Sequence, residues 1–179
     1  MNRRRGVVGF FLPVAVLFLN LSSSVVRAQS QQAPPTPAQS IRGNFANINR
    51  KVLDMAKDFP EDKYGYRLKP EMRSFGEVIV HIASGNVFAA KVARGDKNAK
   101  WDELDSKDYP NKAAIVALME KSIADSEAGL KALPDESFTK TLRPWVAVIE
   151  HSAEHYGLLV AYFRANGIVP PETRSGNNN

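Results

Sequence analysis

The sequence predicts an all-α protein, a four-helix bundle, and three observations support this. Four stretches of about 20 residues each place apolar side chains at steps of three and four, which gives a helix one apolar face. Each stretch is bounded by proline, glycine or a capping residue. No stretch shows the alternation of polar and apolar residues that is typical of strands. Four such helices can bury their apolar faces against one another by packing as a bundle.

The first helix is expected between Ile41 and Phe59, and Pro60 ends it. Apolar residues recur there at helical spacing: Ile41, Phe45, Ile48, Val52, Met55 and Phe59. The preceding residues 29–39 are rich in glutamine and proline, which indicates an extended spacer. The folded domain is therefore expected to span residues 40–173.

The second helix is expected to run from Phe75 to about Arg94 and to stop at Gly95. Ser74 and Glu77 fit a capping box, in which each side chain binds a backbone N–H of the other residue. The spacing of these residues therefore fixes the predicted start of the helix.

The third helix is expected to begin near Pro110 and to end before Pro134. Its predicted buried side carries Ile115, Leu118, Met119, Ile123 and Leu130. A connection of about 15 residues, rich in charged side chains, joins the second and third helices, and an extended chain of that length reaches about 50 Å. The connection is long enough to cross the bundle, so these two helices can run parallel and a simple up-down-up-down order is not required.

The last helix is expected from Pro144 to Gly167. Asn166 and Gly167, followed by two prolines, form a strong stop signal. Residues 174–179 are polar and glycine-containing, and we expect them to form a disordered tail.

The chain contains three histidines, and each lies on an inward face of a predicted helix. His151 and His155 are four residues apart on the last helix, so both rings point the same way and can reach one metal ion. His81 lies well inside the second helix. Three imidazoles can hold a divalent ion and leave a fourth position for water or substrate. We therefore predict a metal site formed by His81, His151 and His155. Imidazole suits zinc, nickel, copper and iron alike, so the ligand type does not choose the metal; zinc, nickel, iron and manganese are the candidates considered.

Two glutamates near these histidines are candidates for orienting the rings. For Glu77 a capping role is favoured, and for Glu154 a solvated surface position, because most carboxylates lie at the surface. Residues 151–155 also match H-x-x-E-H, the inverted zinc-peptidase motif, whose glutamate is a general base. That interpretation requires a carboxylate ligand downstream, and only Glu172 follows.

Other cofactor chemistry is less compatible with the composition. The chain has no cysteine, so it offers no disulfide, no thiolate nucleophile and no covalent haem attachment. A haem held between a histidine and Met55 or Met119 is an alternative. It leaves the pairing of His151 with His155 unexplained.

Residues 1–28 have the organisation of a secretory signal peptide, with cleavage expected after Ala28. An uncleaved anchor is the alternative, although the apolar run is short for a membrane span. Removing this segment takes away four arginines and leaves 20 basic against 19 acidic residues, a formal net charge of +1 instead of +5. The basic balance of the whole chain therefore does not indicate nucleic-acid binding. The expected location is the periplasm or the outside of the cell.

Two segments carry a resemblance to a known family: GYRLKPEMRSFGEVIVHIA at residues 65–83 and HSAEHYGLLVAYFRANGIVPP at residues 151–171. Together they resemble the DinB-like family of metalloenzymes, and the resemblance extends from about Ile41 to Thr173. It implies an up-down-down-up four-helix bundle whose metal ligands match His81, His151 and His155. It also implies thiol chemistry, because characterised relatives include transferases and isomerases that use a small thiol activated by the metal.

The sequence therefore predicts an exported metal-dependent enzyme, a hydrolase or thiol transferase, in which the ion activates water or an external nucleophile on a small-molecule substrate. The alternative is a non-catalytic metal-binding or stress-related bundle, whose site a fourth protein ligand closes. Nucleic acid is not an expected partner, nor is a membrane after signal cleavage. Pairing into a homodimer is left open.

Overall fold

The computed structural model describes residues 33–140 and 142–176, and the regular structure within them is entirely helical. In chain order the helices are α1 (Pro37–Asp58), α2 (Phe75–Ala93), α3 (Lys112–Ala132), α4 (Ser137–Lys140), α5 (Arg143–Ala165) and α6 (Pro171–Gly176). Single 3-10 turns follow α1, at Glu61–Lys63, and precede α3, at Ser106–Asp108. The predicted all-α bundle is confirmed, with α1, α2, α3 and α5 as its four long helices.

The proposed signal peptide, residues 1–28, lies outside the described residues. Across 33–140 and 142–176, no helix combines the length and the apolar character that a membrane span requires.

Contacts at both ends show that α1 and α3 run antiparallel. Near the start of α1, the Arg42 guanidinium donates to the carbonyl of Leu133, just beyond the end of α3, at 2.9 Å. At the other end, the Lys112 ammonium at the start of α3 donates to the carbonyl of Phe59, just beyond α1, at 2.8 Å. Each helix therefore begins where the other ends.

In contrast, α2 and α3 run parallel. Near their starts, a Cβ placed on Gly76 would lie 3.0 Å from Cδ1 of Ile115. Near their ends, a Cβ placed on Gly129 would lie 2.6 Å from Cβ of Ala93, so this glycine lets the two backbones approach closely. The chain between α2 and α3, residues 94–111, must therefore return along the length of the bundle. We call this segment the crossover.

The last long helix, α5, runs parallel to α1 and antiparallel to α2. Near its end, the Phe163 ring lies 5.0 Å from that of Phe59, which follows α1, and 6.1 Å from that of Phe75, which begins α2. Near its start, the Trp145 ring lies 6.4 Å from that of Phe45 in the first half of α1. The order is up-down-down-up with a crossover between α2 and α3, as predicted.

The N-terminal boundary of the fold corrects a prediction. The helix α1 begins at Pro37, inside the residues 29–39 that were predicted to be an extended spacer. The Thr36 hydroxyl accepts a hydrogen bond from the Gln39 N–H at 3.2 Å, and the Gln39 side chain accepts from the Thr36 N–H at 2.9 Å. This capping box, with proline in the first turn, starts the helix before its apolar face begins.

The C-terminal boundary is a second correction, because α6 reaches Gly176 within the predicted disordered tail of residues 174–179. Ion pairs hold α6 against α1: the Glu172 carboxylate lies 2.8 Å from Arg50, and the Arg174 guanidinium lies 2.8 Å from Asp58. Residues 177–179 lie outside the described part of the chain.

The bundle core consists of two apolar clusters, and a layer of buried polar residues separates them. Each of the four long helices contributes to this polar layer. The layer contains the fully buried Asn49, Asn86, Ser126 and Ser152, with Ser122 nearly so. The Asn86 amide donates to Oδ1 of Asn49 at 2.8 Å, and the Ser126 hydroxyl donates to the Asn86 carbonyl at 2.6 Å. These bonds join α1, α2 and α3 across the core.

The polar layer also corrects the predicted inner face of α3. Ile115, Met119 and Leu130 are buried as expected, whereas Leu118 and Ile123 are only partly buried. Ser122 and Ser126 take the inner positions because their hydroxyls bond backbone carbonyls.

Candidate metal centre

The structure brings the three histidines together between α2 and α5. His81 projects from α2, and His151 and His155 project from successive turns of α5. Their potential ligand nitrogens all lie within 4.8 Å of one another, and Nε2 of His81 lies 3.0 Å from Nε2 of His151. One ion could therefore reach all three imidazoles, and the shared direction of His151 and His155 agrees with their four-residue spacing.

Gly85 makes the close approach of α5 to α2 possible at this level. It lies one turn after His81, and a Cβ placed on it would be 3.2 Å from Nδ1 of His151. The same Cβ would be 3.5 Å from Cζ2 of Trp101, which comes from the crossover. Because glycine has no side chain, the His151 ring packs directly on the backbone of α2.

A crossover aspartate contacts the centre from outside the two ligand helices. Nδ1 of His81 lies 2.6 Å from Oδ1 of Asp102, and the other carboxylate oxygen lies 3.2 Å from the Arg73 guanidinium. A proton held on Nδ1 leaves the lone pair of Nε2 free, and this is the nitrogen that faces His151. This arrangement of carboxylate and imidazole is typical of metal-binding histidines.

Sequence reasoning did not identify Asp102. It lies among several other carboxylates of the crossover, where no helical or alternating spacing distinguishes one acid from another. Its contact with His81 spans 21 residues and depends on how the crossover returns along the bundle. No local pattern in the sequence carries that information.

The glutamates that the sequence did single out lie elsewhere. Glu77 completes the capping box with Ser74 and pairs with Arg67 at 2.6 Å, so its favoured capping role is confirmed. Glu154 is exposed on α5, also as favoured. Glu172 pairs with Arg50 on α1 and does not belong to the histidine group, so it does not supply the ligand that the peptidase motif requires.

The methionines considered as haem ligands, Met55 and Met119, are fully buried among apolar side chains of the core. This environment accounts for both of them as packing residues.

The protein environment keeps the imidazoles of α5 in the neutral form that binds metal. Burial, together with the neighbouring imidazoles, lowers the pKa of His151 to about 4. Burial, followed by the proximity of His81, also lowers the pKa of His155 below its usual value. At neutral pH both rings therefore carry an available lone pair.

The donor set fits a divalent ion. Nε2 of His151 faces Nε2 of His81 at 3.0 Å, and the potential ligand nitrogens of all three rings lie within 4.8 Å of one another. A cation among the rings could bind one neutral nitrogen from each of the three.

A polar cleft opens beside His81. Its volume is about 450 Å³, and α2 and the crossover form its walls. Val80 and Leu104 contribute apolar surface, and the remaining lining is polar and rich in carboxylates: Arg73, Glu77, His81, Asp102, Glu103, Asp105 and Ser106. The space is large enough to admit a small molecule beside His81.

The fold and the site together define a class of protein: an up-down-down-up four-helix bundle with a three-histidine centre between its second and last long helices. Residues 45–165 match the family model of the DinB superfamily, and the chain belongs to that superfamily. This confirms the resemblance that the two sequence segments carry. Sequence comparison with curated proteins finds no match.

Proposed function

We propose that the protein is an exported metal-dependent enzyme that acts on a small molecule, with His81, His151 and His155 as the ligands of a divalent ion. The observation that carries this proposal is the convergence of three imidazoles beside an open cleft. A bound ion of this kind supplies Lewis acidity, which polarises an oxygen or sulfur ligand and lowers its pKa. Hydrolysis and thiol transfer are the two reaction types that this chemistry serves.

The residues around the centre have separate tasks in this proposal. Burial keeps His151 and His155 neutral, so that both remain ligands at neutral pH. The Arg73 guanidinium and four carboxylates line the cleft, so it offers both donors and acceptors to a polar substrate. Val80 and Leu104 offer apolar surface to a substrate in the same space.

The non-catalytic alternative requires a fourth protein ligand that closes the site. Within residues 33–140 and 142–176, the histidine group includes no carboxylate. Asp102, the carboxylate in direct contact with the group, binds the Nδ1 side of His81, away from the nitrogen that faces His151. This arrangement supports an open position and therefore the enzymatic proposal.

Metal binding is tested by thermal unfolding of chelator-treated protein with added zinc, nickel, manganese or ferrous salts. If an ion binds only the native state and its free concentration is 100 times its Kd, it stabilises that state by about 2.7 kcal/mol, so the melting temperature should rise. His155→Ala should abolish the rise. Glu154→Gln, an exposed position on the same helix, is the control and should retain it. If no ion stabilises the wild type, the proposal is wrong.

The open position is tested with Mn²⁺ bound to the protein. An ion with an exchangeable water enhances the relaxation of bulk water protons, whereas an ion enclosed by protein ligands does not. Enhancement is expected, and its absence would favour the non-catalytic alternative.

Export is tested by N-terminal sequencing of the protein from its native host, for which the proposal predicts a mature chain that begins at Gln29.

A further inference from the structure

We propose that Asp102 is a positioning residue for the metal centre: held by Arg73, its carboxylate fixes the proton on Nδ1 of His81 and so presents Nε2 to the ion. This inference rests on the proposed metal site and adds a residue that none of the sequence patterns identifies.

The contact between Asp102 and His81 has the geometry of a strong hydrogen bond. The two atoms are 2.6 Å apart, just below the range of about 2.7 to 2.9 Å that is typical of charge-assisted N–H···O bonds. The His81 side chain is 13% exposed, so little water competes for Nδ1. A neutral imidazole has one proton, and a carboxylate that accepts it at Nδ1 determines which nitrogen binds the ion.

Asp102 is held in place from two directions. Its second oxygen lies 3.2 Å from the Arg73 guanidinium, which belongs to the segment immediately before α2. Its backbone has a φ of 56°, and it is the one non-glycine residue with positive φ in the described chain. Aspartate tolerates this conformation better than most residues do. The crossover thus turns at Asp102 in a way that aims the carboxylate at His81.

The neighbouring residue contacts a second member of the group. The Trp101 ring packs edge-on against His151, with 5.0 Å between ring centroids. Two consecutive residues of the crossover therefore contact two of the three proposed ligands from the same side. A segment that only connects two helices would not need either contact.

A purely structural ion pair is the alternative explanation for Asp102. The Arg73 and Asp102 side chains are 50% and 39% exposed, and ion pairs at such exposure contribute little to stability. If Asp102 served only to form this ion pair, replacing it would leave the affinity for metal unchanged. A positioning role would change it, because the outer hydrogen bonds of metal ligands contribute strongly to affinity.

The test uses Asp102→Gly and Asp102→Asn, with Asp108→Asn of the same crossover as the control. Glycine permits the positive φ and removes the acceptor, while asparagine tolerates the same φ and keeps a neutral acceptor. Dissociation constants for Zn²⁺ and Ni²⁺ are measured by competition with a chelator. We expect Asp102→Gly to bind about 10 to 100 times more weakly, Asp102→Asn to show a smaller loss, and Asp108→Asn to match the wild type.

A second measurement is made on metal-free protein labelled with [¹⁵N]histidine, at about pH 8, where imidazoles are neutral. The three histidines give few signals, and the nitrogen shifts report which nitrogen of His81 carries the proton. The wild type should show the proton on Nδ1, and Asp102→Gly should move it towards Nε2. Asp102→Asn keeps the test possible if the glycine variant does not fold.

The outcomes separate this inference from the function on which it rests. If the wild type binds metal and Asp102→Gly binds it equally well, or if the proton of His81 does not move, the positioning role is wrong and the proposed metal site stands. If the wild type binds no ion, the proposed function fails and the positioning role fails with it.

Discussion

Replacing Gly85 by alanine should weaken metal binding without destabilising the metal-free protein. The added Cβ would lie 3.2 Å from Nδ1 of His151, whereas ordinary contacts of this kind begin at 3.4 Å. The His151 ring must therefore move by about 0.2 Å or more, and metal–ligand distances tolerate deviations of only about 0.2 Å. A displacement of this size at one of three ligands should cost about a tenfold loss of affinity, or about 1.4 kcal/mol of binding free energy.

The stability of the metal-free protein should change in the opposite direction or not at all. Alanine favours a helix interior over glycine by about 0.5 to 1 kcal/mol, and the contact with the ring offsets part of this gain. Gly157→Ala is the matched control. It lies on α5 two residues after His155, and a Cβ there would have nothing within 4 Å.

Affinity is measured by chelator competition and stability by urea unfolding of the metal-free proteins. The expected result is a Kd about ten times that of the wild type for Gly85→Ala and an unchanged Kd for Gly157→Ala, with neither variant less stable than the wild type. Equal affinities of the two variants would refute the claim that Gly85 sets the position of the His151 ring.

Three further predictions concern pH, the polar layer and the first helix cap. The pKa of His151 is about 4 in the folded protein and about 6.5 when unfolded, so the unfolded state takes up the proton first. The metal-free protein should therefore lose stability as the pH falls from about 6.5 to 4, and His151→Gln should lessen this dependence. A urea midpoint that stays constant over this pH interval would contradict the lowered pKa of His151. Asn86→Ala should lower the free energy of unfolding in urea by about 2 to 4 kcal/mol, because it opens a cavity and leaves the buried Oδ1 of Asn49 without its donor. A decrease below about 1 kcal/mol would show that the polar layer contributes little to stability. Thr36→Ala should lower the free energy of unfolding by about 1 kcal/mol, because α1 loses its N-terminal cap. If residues 36–39 were extended instead of helical, the same substitution would leave the free energy of unfolding unchanged.

The sequence predicted the histidine group because its signal is local. The four-residue spacing of His151 and His155 defines their shared direction on any helix, whatever the remainder of the chain does. His81 could be placed on an inward face for the same reason, since its neighbours on α2 follow helical spacing. That these two faces meet depends on the packing of α5 against α2, which local spacing does not determine. The shared site was a hypothesis from three inward faces, and the resemblance implied the same ligands.

The direction of the helices could not be derived from local patterns. A crossover of this length is compatible with parallel or antiparallel α2 and α3, and contacts such as that of Gly129 with Ala93 exist only after folding. The position of Asp102 is a consequence of the same path, so neither spacing nor residue type distinguished it from other acids of the crossover.

The ends of the domain were missed for two different reasons. At the start of α1, the capping box of Thr36 and Gln39 lies among prolines and glutamines, and the apolar periodicity begins only at Ile41. At the other end, α6 packs through an ion pair between Glu172 and Arg50, two residues separated by 122 positions in the chain. A short polar segment carries no sign of such a partner.

X-ray absorption spectroscopy of the zinc-loaded protein tests the central claim most directly, because it counts the ligands of the ion and identifies imidazoles by their scattering. The account predicts three imidazole nitrogens at about 2.0 to 2.1 Å and a further light atom that small anions can replace. His81→Ala should reduce the imidazole count to two. A spectrum of the wild type with fewer than three imidazoles, or with a ligand set that His81→Ala leaves unchanged, would contradict the account.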